Sequence, residues 1–352
     1  MEQRSTERAH LIALLAALED PARAAGLPSD DPVLVKVARY HRLSPLLSIR
    51  CAPVLPGDLA AAFRRDRLVT TARNMMLGQV AAECATALGQ AGIRSILLKG
   101  LTYEPELYHA AGARPSSDVD LLVPQEHRRR AFSVLDRMGF EPRAAAPGFD
   151  DPDYHEVAWT RAGVEVDLHL ALAPAGRCQF DYGAIWADAR PFQSGEISAW
   201  SLAPTHAVIF HALHMAIDHF DVPGIYLVDL AEQLKDDADW QAADETARRW
   251  HCHRPLATAR ALASAFLPAW GARLAPVDPP GVSARIIRRY GSLARVKRIE
   301  QLFRKLAHFD TPADAVPYVA LQTRRNLKER FERVVRKRSA RERLALGQPS
   351  PD

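Results

Sequence analysis

Two aspartates, Asp118 and Asp120, lie two residues apart in the segment DVDLLV. Because strand side chains alternate between faces, this segment as a strand directs both carboxylates to one face and Val119, Leu121 and Val123 to the other. Neighbouring carboxylates repel each other unless a cation joins them. The spacing therefore predicts a cation site at the start of a strand.

A third carboxylate comes from a predicted hairpin farther along the chain. Residues 154–160 and 164–172 form alternating or apolar runs, and a short turn containing glycine joins them. In the second of these strands Glu165, Asp167 and His169 share one face. Two carboxylates on one strand and a third on a neighbouring strand form an all-oxygen cluster. A hard divalent ion such as Mg²⁺ suits this cluster, with water and substrate phosphates completing its shell.

A glycine turn precedes the paired aspartates. The apolar residues 93–98 predict a buried strand that ends at Lys99-Gly100 and turns into a helix over about 101–110. Such a turn presents free backbone N–H groups and the positive end of a helix to a phosphate group. Together with the carboxylates it indicates metal-assisted phosphoryl or nucleotidyl transfer, in which metal ions activate a hydroxyl and neutralise the leaving pyrophosphate.

The elements that must position these residues are mainly helical. Residues 1–92 and 204–352 place apolar side chains at three- and four-residue spacing between charged ones, and residues 125–138 predict another amphipathic helix. The expected fold class is α+β. We predict an N-terminal helical lobe over 1–92, a small mixed sheet as the catalytic core over 93–203, and a C-terminal helical lobe with a basic tail over 204–352.

Composition limits the class of protein. The 352 residues are 48% hydrophobic and 25% charged with a net charge of +4, which is typical of a globular chain of two or three domains and excludes a disordered one. The four cysteines are widely spaced and form no CxxC motif, so free thiols in a reducing compartment are expected. No apolar run approaches the ~20 residues of a membrane helix, and we expect a soluble, cytoplasmic protein.

The turn at Lys99-Gly100, the segment RPSSDVDLLV and the segment VDLH resemble the nucleotidyltransferase superfamily with the DNA polymerase beta type fold. In detail they resemble the bacterial uncharacterised nucleotidyltransferase family, NTP_transf_5. The segments HRLSPLL, HAVIFHALHM and YLVDLAEQL extend the resemblance over roughly residues 30–240.

The resemblance implies an enzyme that transfers a nucleoside monophosphate from an NTP, with two Mg²⁺ ions as cofactors. It implies that Asp118 and Asp120 are catalytic metal ligands. Asp167 is implied to be the third ligand or the group that receives the acceptor proton, and Gly100 the glycine of the strand-to-helix motif.

The predicted nucleotide-binding residues are Lys99, Gly100, Arg114, Ser117 and His169. Lys99 either supplies a positive charge to phosphate, in a turn that lacks the usual second Gly or Ser, or is a solvated strand-end residue. Arg114 either binds phosphate or holds the Ser116-Ser117 loop by pairing with an acid. His169 either touches substrate or hydrogen-bonds a neighbour.

Two other motifs have simpler interpretations. His211 and His214 share a helix face, but no Cys or carboxylate nearby in sequence completes a tetrahedral set, so a zinc site is disfavoured. Asp229 lies among apolar residues and is interpreted as structural, buried against an Arg or a His.

The acceptor stays open at this level. The leading expectation is a hydroxyl of a small molecule or peptide. The positive stripes from Arg285 onward would suit RNA, although most such stripes are solvated helix faces. A third alternative is a module that binds nucleotide or peptide without turnover.

Overall fold

The structure is a computed structural model that describes residues 2–143, 154–275, 281–291, 301, 304, 308–325 and 327. The helices are α1 (Glu2–Glu19), α2 (Pro32–Tyr40), α3 (Ser44–Arg50), α4 (Gly57–Gln90), α5 (Arg128–Arg137), α6 (Tyr182–Asp188), α7 (Pro204–Ile217), α8 (Ile225–Gln233), α9 (Asp237–Arg249), α10 (His253–Phe266), α11 (Pro268–Gly271) and α12 (Ser283–Arg289). The strands are β1 (Ile96–Leu97), β2 (Val119–Leu122), β3 (Glu141–Pro142), β4 (Glu156–Arg161), β5 (Val164–His169), β6 (Arg190–Ser194) and β7 (Ile197–Ser201). The expected α+β fold class is confirmed.

The seven strands form one mixed sheet in the order β3-β4-β5-β2-β1-β7-β6. Strands β2 and β5 are parallel neighbours, and their register sets Asp120 directly opposite Asp167. Strand β1 lies antiparallel on the other side of β2. The strands that carry the predicted site residues are therefore adjacent at the centre of the sheet.

The structure confirms the predicted hairpin and contains a second one that was not predicted. Strands β4 and β5 pair antiparallel as expected. The hairpin of β6 and β7 adds a second edge to the sheet, because β7 pairs parallel with β1. Its turn contains Gly195 at φ 54°, and buried Ile197 and Ser201 alternate with more exposed positions in β7. These are ordinary hairpin signals that the sequence analysis did not use.

The predicted helix over 101–110 is wrong. The chain forms only one wide turn of π-helix at Glu104–Tyr108, in which His109 N–H donates to Glu104 O at 3.0 Å. Pro105 has no N–H to donate, and His109 adopts a left-handed φ of 51°, which ends the turn. The segment after Gly100 is therefore a compact loop and not a regular helix.

Two hydrophobic cores flank the sheet. One packs the second half of α4 and α5 on the sheet through residues such as Leu77, Leu135 and Val166. The other joins α1, α2 and α3 to α7, α8 and α10. Hydrogen bonds reinforce that union, for instance from Trp270 N–H to Glu19 at 2.8 Å and from Gly224 N–H to His41 Nδ1 at 3.0 Å.

The two predicted helical lobes thus share one core. The boundaries at 92/93 and 203/204 stay predictions. No helix within the described residues is both long and apolar enough to cross a membrane. Residues 328–352, which hold much of the predicted basic tail, lie outside the described residues, so their binding of RNA also stays a prediction.

A buried ion pair ties the loop before β2 to α8. Arg114 donates from Nε and Nη2 to Asp229 Oδ2 at 3.2 and 3.0 Å, and Tyr108 OH donates to Asp229 Oδ1 at 2.6 Å. The side chains of Arg114 and Asp229 are only 3% and 0% exposed. Each charge depends on the other, because an isolated buried charge is strongly unfavourable.

We expect Asp229→Ala to lower the free energy of unfolding by about 3–5 kcal/mol, because it leaves the Arg114 guanidinium buried without its counter-ion. Urea denaturation measures the loss. The double variant Arg114→Met/Asp229→Leu should lose less than Asp229→Ala alone, and exposed Asp30→Ala, the control, should change stability by under about 0.5 kcal/mol. Equal losses for Asp229→Ala and the control would contradict the pairing.

Candidate active site

Three carboxylates converge at the centre of the sheet. Asp118 immediately precedes β2, Asp120 lies within it, and Asp167 lies opposite Asp120 on β5. One ligand oxygen from each lies within 4.8 Å of the others. No other group of three His, Cys, Asp or Glu side chains converges in this way among the described residues. The structure thus brings together all three carboxylates that the sequence singled out.

Asp120 also contacts two nitrogen-bearing side chains of the site. Its Oδ1 lies 3.1 Å from Lys99 Nζ and 2.9 Å from His169 Nε2. Both partners are buried, with side-chain exposures of 9% and 5%. Lys99 lies inside the carboxylate cluster and is not a solvated strand-end residue. His169 takes the neighbouring hydrogen-bond role that was one of its two interpretations.

These contacts determine the charge of the buried groups. Burial alone would raise the pKa of Asp120, but the charge of Lys99 and the hydrogen bond from His169 outweigh it and hold this pKa well below its usual value. Burial would lower the pKa of Lys99, but the nearby Asp120 carboxylate outweighs it and raises this pKa. The hydrogen bond with Asp120 likewise raises the pKa of His169 against the effect of burial. Asp120 and Lys99 are therefore both ionised at neutral pH.

Asp167 lies in a different environment from its neighbour. Burial, followed by the negative charge of Asp120, raises the pKa of Asp167 to about 7. No cation contacts Asp167 among the ion pairs of the described chain. Near neutral pH this group can therefore take up or release a proton.

The glycine turn lies beside the serine loop. Lys99 and Gly100 adopt left-handed φ angles of 23° and 44°. A Cβ on Gly100 would lie 3.3 Å from Ser116 Oγ, which is buried and has no hydrogen-bond partner in the described chain. A side chain at position 100 would therefore be strained by the left-handed backbone and would press on Ser116. Ser117 Oγ donates to Asp118 Oδ1 at 3.1 Å, so the predicted binding residue Ser117 does border the carboxylates.

Arg114 is engaged by groups of the protein itself. Its guanidinium is committed to Asp229 and to Pro115 O, and it lies against the rings of Tyr103 and Tyr226. This geometry matches the other interpretation of Arg114, in which an acid partner lets it hold the serine loop. As predicted, Asp229 is buried against an arginine.

Several groups beside the carboxylates were not predicted to be site residues. Glu156 is paired with His169 across the hairpin, and its Oε2 lies 3.6 Å from His169 Nδ1. His214 Nε2 lies 3.3 Å from Tyr226 OH and 3.5 Å from Asp218. Antiparallel pairing across the predicted hairpin turn would have placed Glu156 opposite His169. The groups on α7 and α8 carry no signal in sequence, because only tertiary packing brings them to the sheet.

The residues present fit a hard divalent cation. The donors are three carboxylates, and the single buried ammonium of Lys99 does not neutralise them. Asp118, Asp120 and Asp167 are the groups that would hold such an ion. A zinc site on α7 has no support, because His211 Nε2 is hydrogen-bonded to Tyr226 O at 2.9 Å and no histidine cluster occurs in the described residues.

Comparison with known proteins identifies a family. The model of a family described as "Uncharacterised nucleotidyltransferase" matches residues 28–268. No curated protein matches the sequence. Six chains of solved structures match, including two of ANT(2'')-Ia. The solution structure of this antibiotic-resistance factor has 10% identity and a TM-score of 0.37, and covers 50% of this chain and 93% of its own. The crystal structure in complex with adenylyl-2''-tobramycin has 12% identity and a TM-score of 0.35, and covers 47% and 94%.

We expect the affinity for Mn²⁺, used as a probe of the divalent site, to rise about tenfold per pH unit up to pH 7 and to level off above it. The reason is that Asp167, whose pKa is about 7, must lose its proton before it binds a metal. Electron paramagnetic resonance of free Mn²⁺ measures the affinity. Asp167→Asn should bind more weakly with a flatter pH profile, and a wild-type profile that is flat from pH 5.5 to 8 would contradict the assignment.

In the metal-free protein, the raised pKa of Asp167 makes the folded state less stable as the pH increases. The folded state holds a proton on Asp167 that the unfolded chain, with a pKa near 3.8, releases. The stabilisation from this group is therefore complete below about pH 4 and is lost as the pH rises through 7.

Proposed function

This chain belongs to the uncharacterised nucleotidyltransferase family and is a transferase, and we propose that it transfers a nucleoside monophosphate from an NTP to a hydroxyl-type acceptor, with release of pyrophosphate. The acceptor is a small molecule or a peptide. The observation that carries the proposal is the convergence of Asp118, Asp120 and Asp167 to within 4.8 Å.

We assign the three carboxylates to Mg²⁺. When bound, Mg²⁺ supplies positive charge that neutralises phosphate oxygens and lowers the pKa of a hydroxyl. Asp120 contributes a carboxylate that stays ionised well below neutral pH, and its Oδ1 is already engaged by Lys99 and His169. Its other oxygen, together with Asp118 and Asp167, is left for the metal.

Lys99 and Asp167 are assigned to phosphate binding and to metal binding or proton transfer, respectively. Lys99 lies at the glycine turn and carries the buried positive charge nearest the carboxylates, so it is assigned to the NTP phosphates. Asp167 is assigned either as the third metal ligand or as the base for the acceptor hydroxyl. Its pKa of about 7 supports the second role, since a general base acts best when its pKa lies near the working pH.

The negative charges of Glu156 and Asp218, beside the carboxylate cluster, favour a small-molecule or peptide acceptor over RNA. Burial raises the pKa of Asp218. The charge of Lys99 acts on this pKa in the opposite sense, and the nearby charge of Glu156 raises it further. Carboxylates this near the site would repel a phosphate backbone.

We expect Asp118→Asn to reduce nucleotide transfer at least about 100-fold while the fold persists, because it removes one ligand charge from a half-buried position. Asp120→Asn is a poorer test, since it also removes the counter-ion of buried Lys99. Mass spectrometry of a mixture of peptides and hydroxylated metabolites, incubated with all four NTPs and Mg²⁺, measures the NMP mass gained by the acceptor.

The exposed Asp30→Asn variant is the matched control and should transfer normally. Transfer that persists at the wild-type rate in Asp118→Asn would refute the metal assignment. Tight NTP binding that needs no metal, together with no product from any acceptor, would favour the binding-module alternative.

For Lys99→Met we expect the dissociation constant for a non-hydrolysable Mg²⁺·NTP analogue to rise about 10- to 100-fold, because the buried ammonium no longer faces phosphate. Isothermal titration calorimetry measures it. His169→Gln, which alters the other contact to Asp120 Oδ1, is the control and should change this constant far less. Similar weakening in both variants would mean that Lys99 only supports Asp120.

A further inference from the structure

Two cysteines that are distant in sequence lie next to each other. The segment that leaves β5 runs beside the junction of α9 and α10, where Gln179 N–H donates to Trp250 O at 2.9 Å and the Phe180 ring meets the edge of Trp250 at 5.5 Å. Cys178 and Cys252 lie on either side of this contact, one and two residues from its backbone hydrogen bond, and their side chains interact. The backbone pairing thus places the two thiols near each other.

The two thiols differ in exposure. Cys178 is half-buried, whereas Cys252 is buried at 1% exposure. The hydrogen bond to Cys178, followed by burial, raises the pKa of Cys252 well above its usual value, so Cys252 stays a thiol. The other cysteines, Cys51 and Cys84, are buried, and Cys51 donates instead to Ala17 O at 3.3 Å.

A buried cation stands beside this pair. Arg177 is 3% exposed, and none of its guanidinium nitrogens has a hydrogen-bond partner within the described chain. It lies 5.5 Å over the Phe309 ring, and its electrostatic partners are Cys178, Cys252 and Tyr318. A buried guanidinium without a counter-ion is unfavourable, and a neighbouring thiolate would relieve that cost.

We propose that Cys178 and Cys252 form a reversible disulfide when the protein meets a peroxide, with Arg177 as the residue that stabilises the reacting thiolate. The Cys178 thiolate attacks one peroxide oxygen and the O–O bond breaks, which leaves a sulfenic acid and, after protonation, one water. The Cys252 sulfur then attacks the Cys178 sulfur while its proton passes to the departing hydroxide, so the S–O bond breaks and a second water leaves. The two thiols are oxidised by two electrons and the peroxide is reduced to water.

The bond would join the segment that follows the strand of Asp167 and His169 to the start of α10. A thiol reductant reverses it through a mixed disulfide, which agrees with a protein whose cysteines are otherwise free. This oxidation site is separate from the carboxylate cluster and does not depend on the proposed transfer reaction.

The test treats the full chain with hydrogen peroxide, blocks remaining thiols with an alkylating agent, and maps the peptides by mass spectrometry. We expect a Cys178–Cys252 cross-linked peptide that disappears with dithiothreitol, while Cys51 and Cys84 stay alkylated. The oxidised protein should also melt at a higher temperature than the reduced protein, because the cross-link restricts the unfolded chain. All four cysteines remaining alkylated, or cross-links involving Cys51 or Cys84 at equal yield, would overturn the proposal.

Variants separate the steps. Cys252→Ser should stop at the Cys178 sulfenic acid, which dimedone traps, and the matched control Cys84→Ser should still form the cross-link. Arg177→Met should slow cross-link formation about tenfold or more if the guanidinium stabilises the thiolate. An unchanged rate in folded Arg177→Met would remove Arg177 from the proposal. If that variant does not fold, the wild-type peptide map still decides whether the disulfide forms.

Discussion

One oxygen, Asp120 Oδ1, is the acceptor on which the site depends. Lys99 reaches it from the end of β1 and His169 from the end of β5, while Asp120 itself lies on β2 between them. A buried carboxylate must be hydrogen-bonded, and this one is satisfied by donors from both neighbouring strands. The order β5-β2-β1 and the shared acceptor therefore reinforce each other. The carboxylate cluster is held in place by the protein's own charges.

The ion pair of Arg114 and Asp229 supports the pair of Lys99 and Asp120 indirectly. Arg114 and Asp229 are almost fully buried, and they fix the loop that leads into Asp118. The same loop places Ser116 against Gly100, where a larger residue would strain the left-handed turn and press on the serine. The two pairs use buried charge differently. Asp120 and Lys99 belong to a cluster that can take a metal, whereas Arg114 and Asp229 hold the loop before β2 against α8.

The sequence was informative wherever a local pattern determined the structure. Strand alternation predicted that Asp118 and Asp120 share a face, and the hairpin pattern placed Asp167 and His169 together. It was uninformative where tertiary packing decided. The conformation that turns Lys99 back to Asp120 is unusual for a non-glycine residue, and Pro105 with the packing around it replaced a helix by a single π turn. The partner of Arg114 is more than a hundred residues away in sequence, so spacing could not decide between its two interpretations.

The core shared by the two ends of the chain has a consequence for synthesis. Helices α1–α3 bury their apolar faces against α7, α8 and α10, which leave the ribosome much later. Until α10 emerges, the first three helices lack part of their core and expose the leucines that will fill it. A chain of this topology therefore completes its N-terminal packing only late in translation, and during that interval its early helices are natural clients for chaperones.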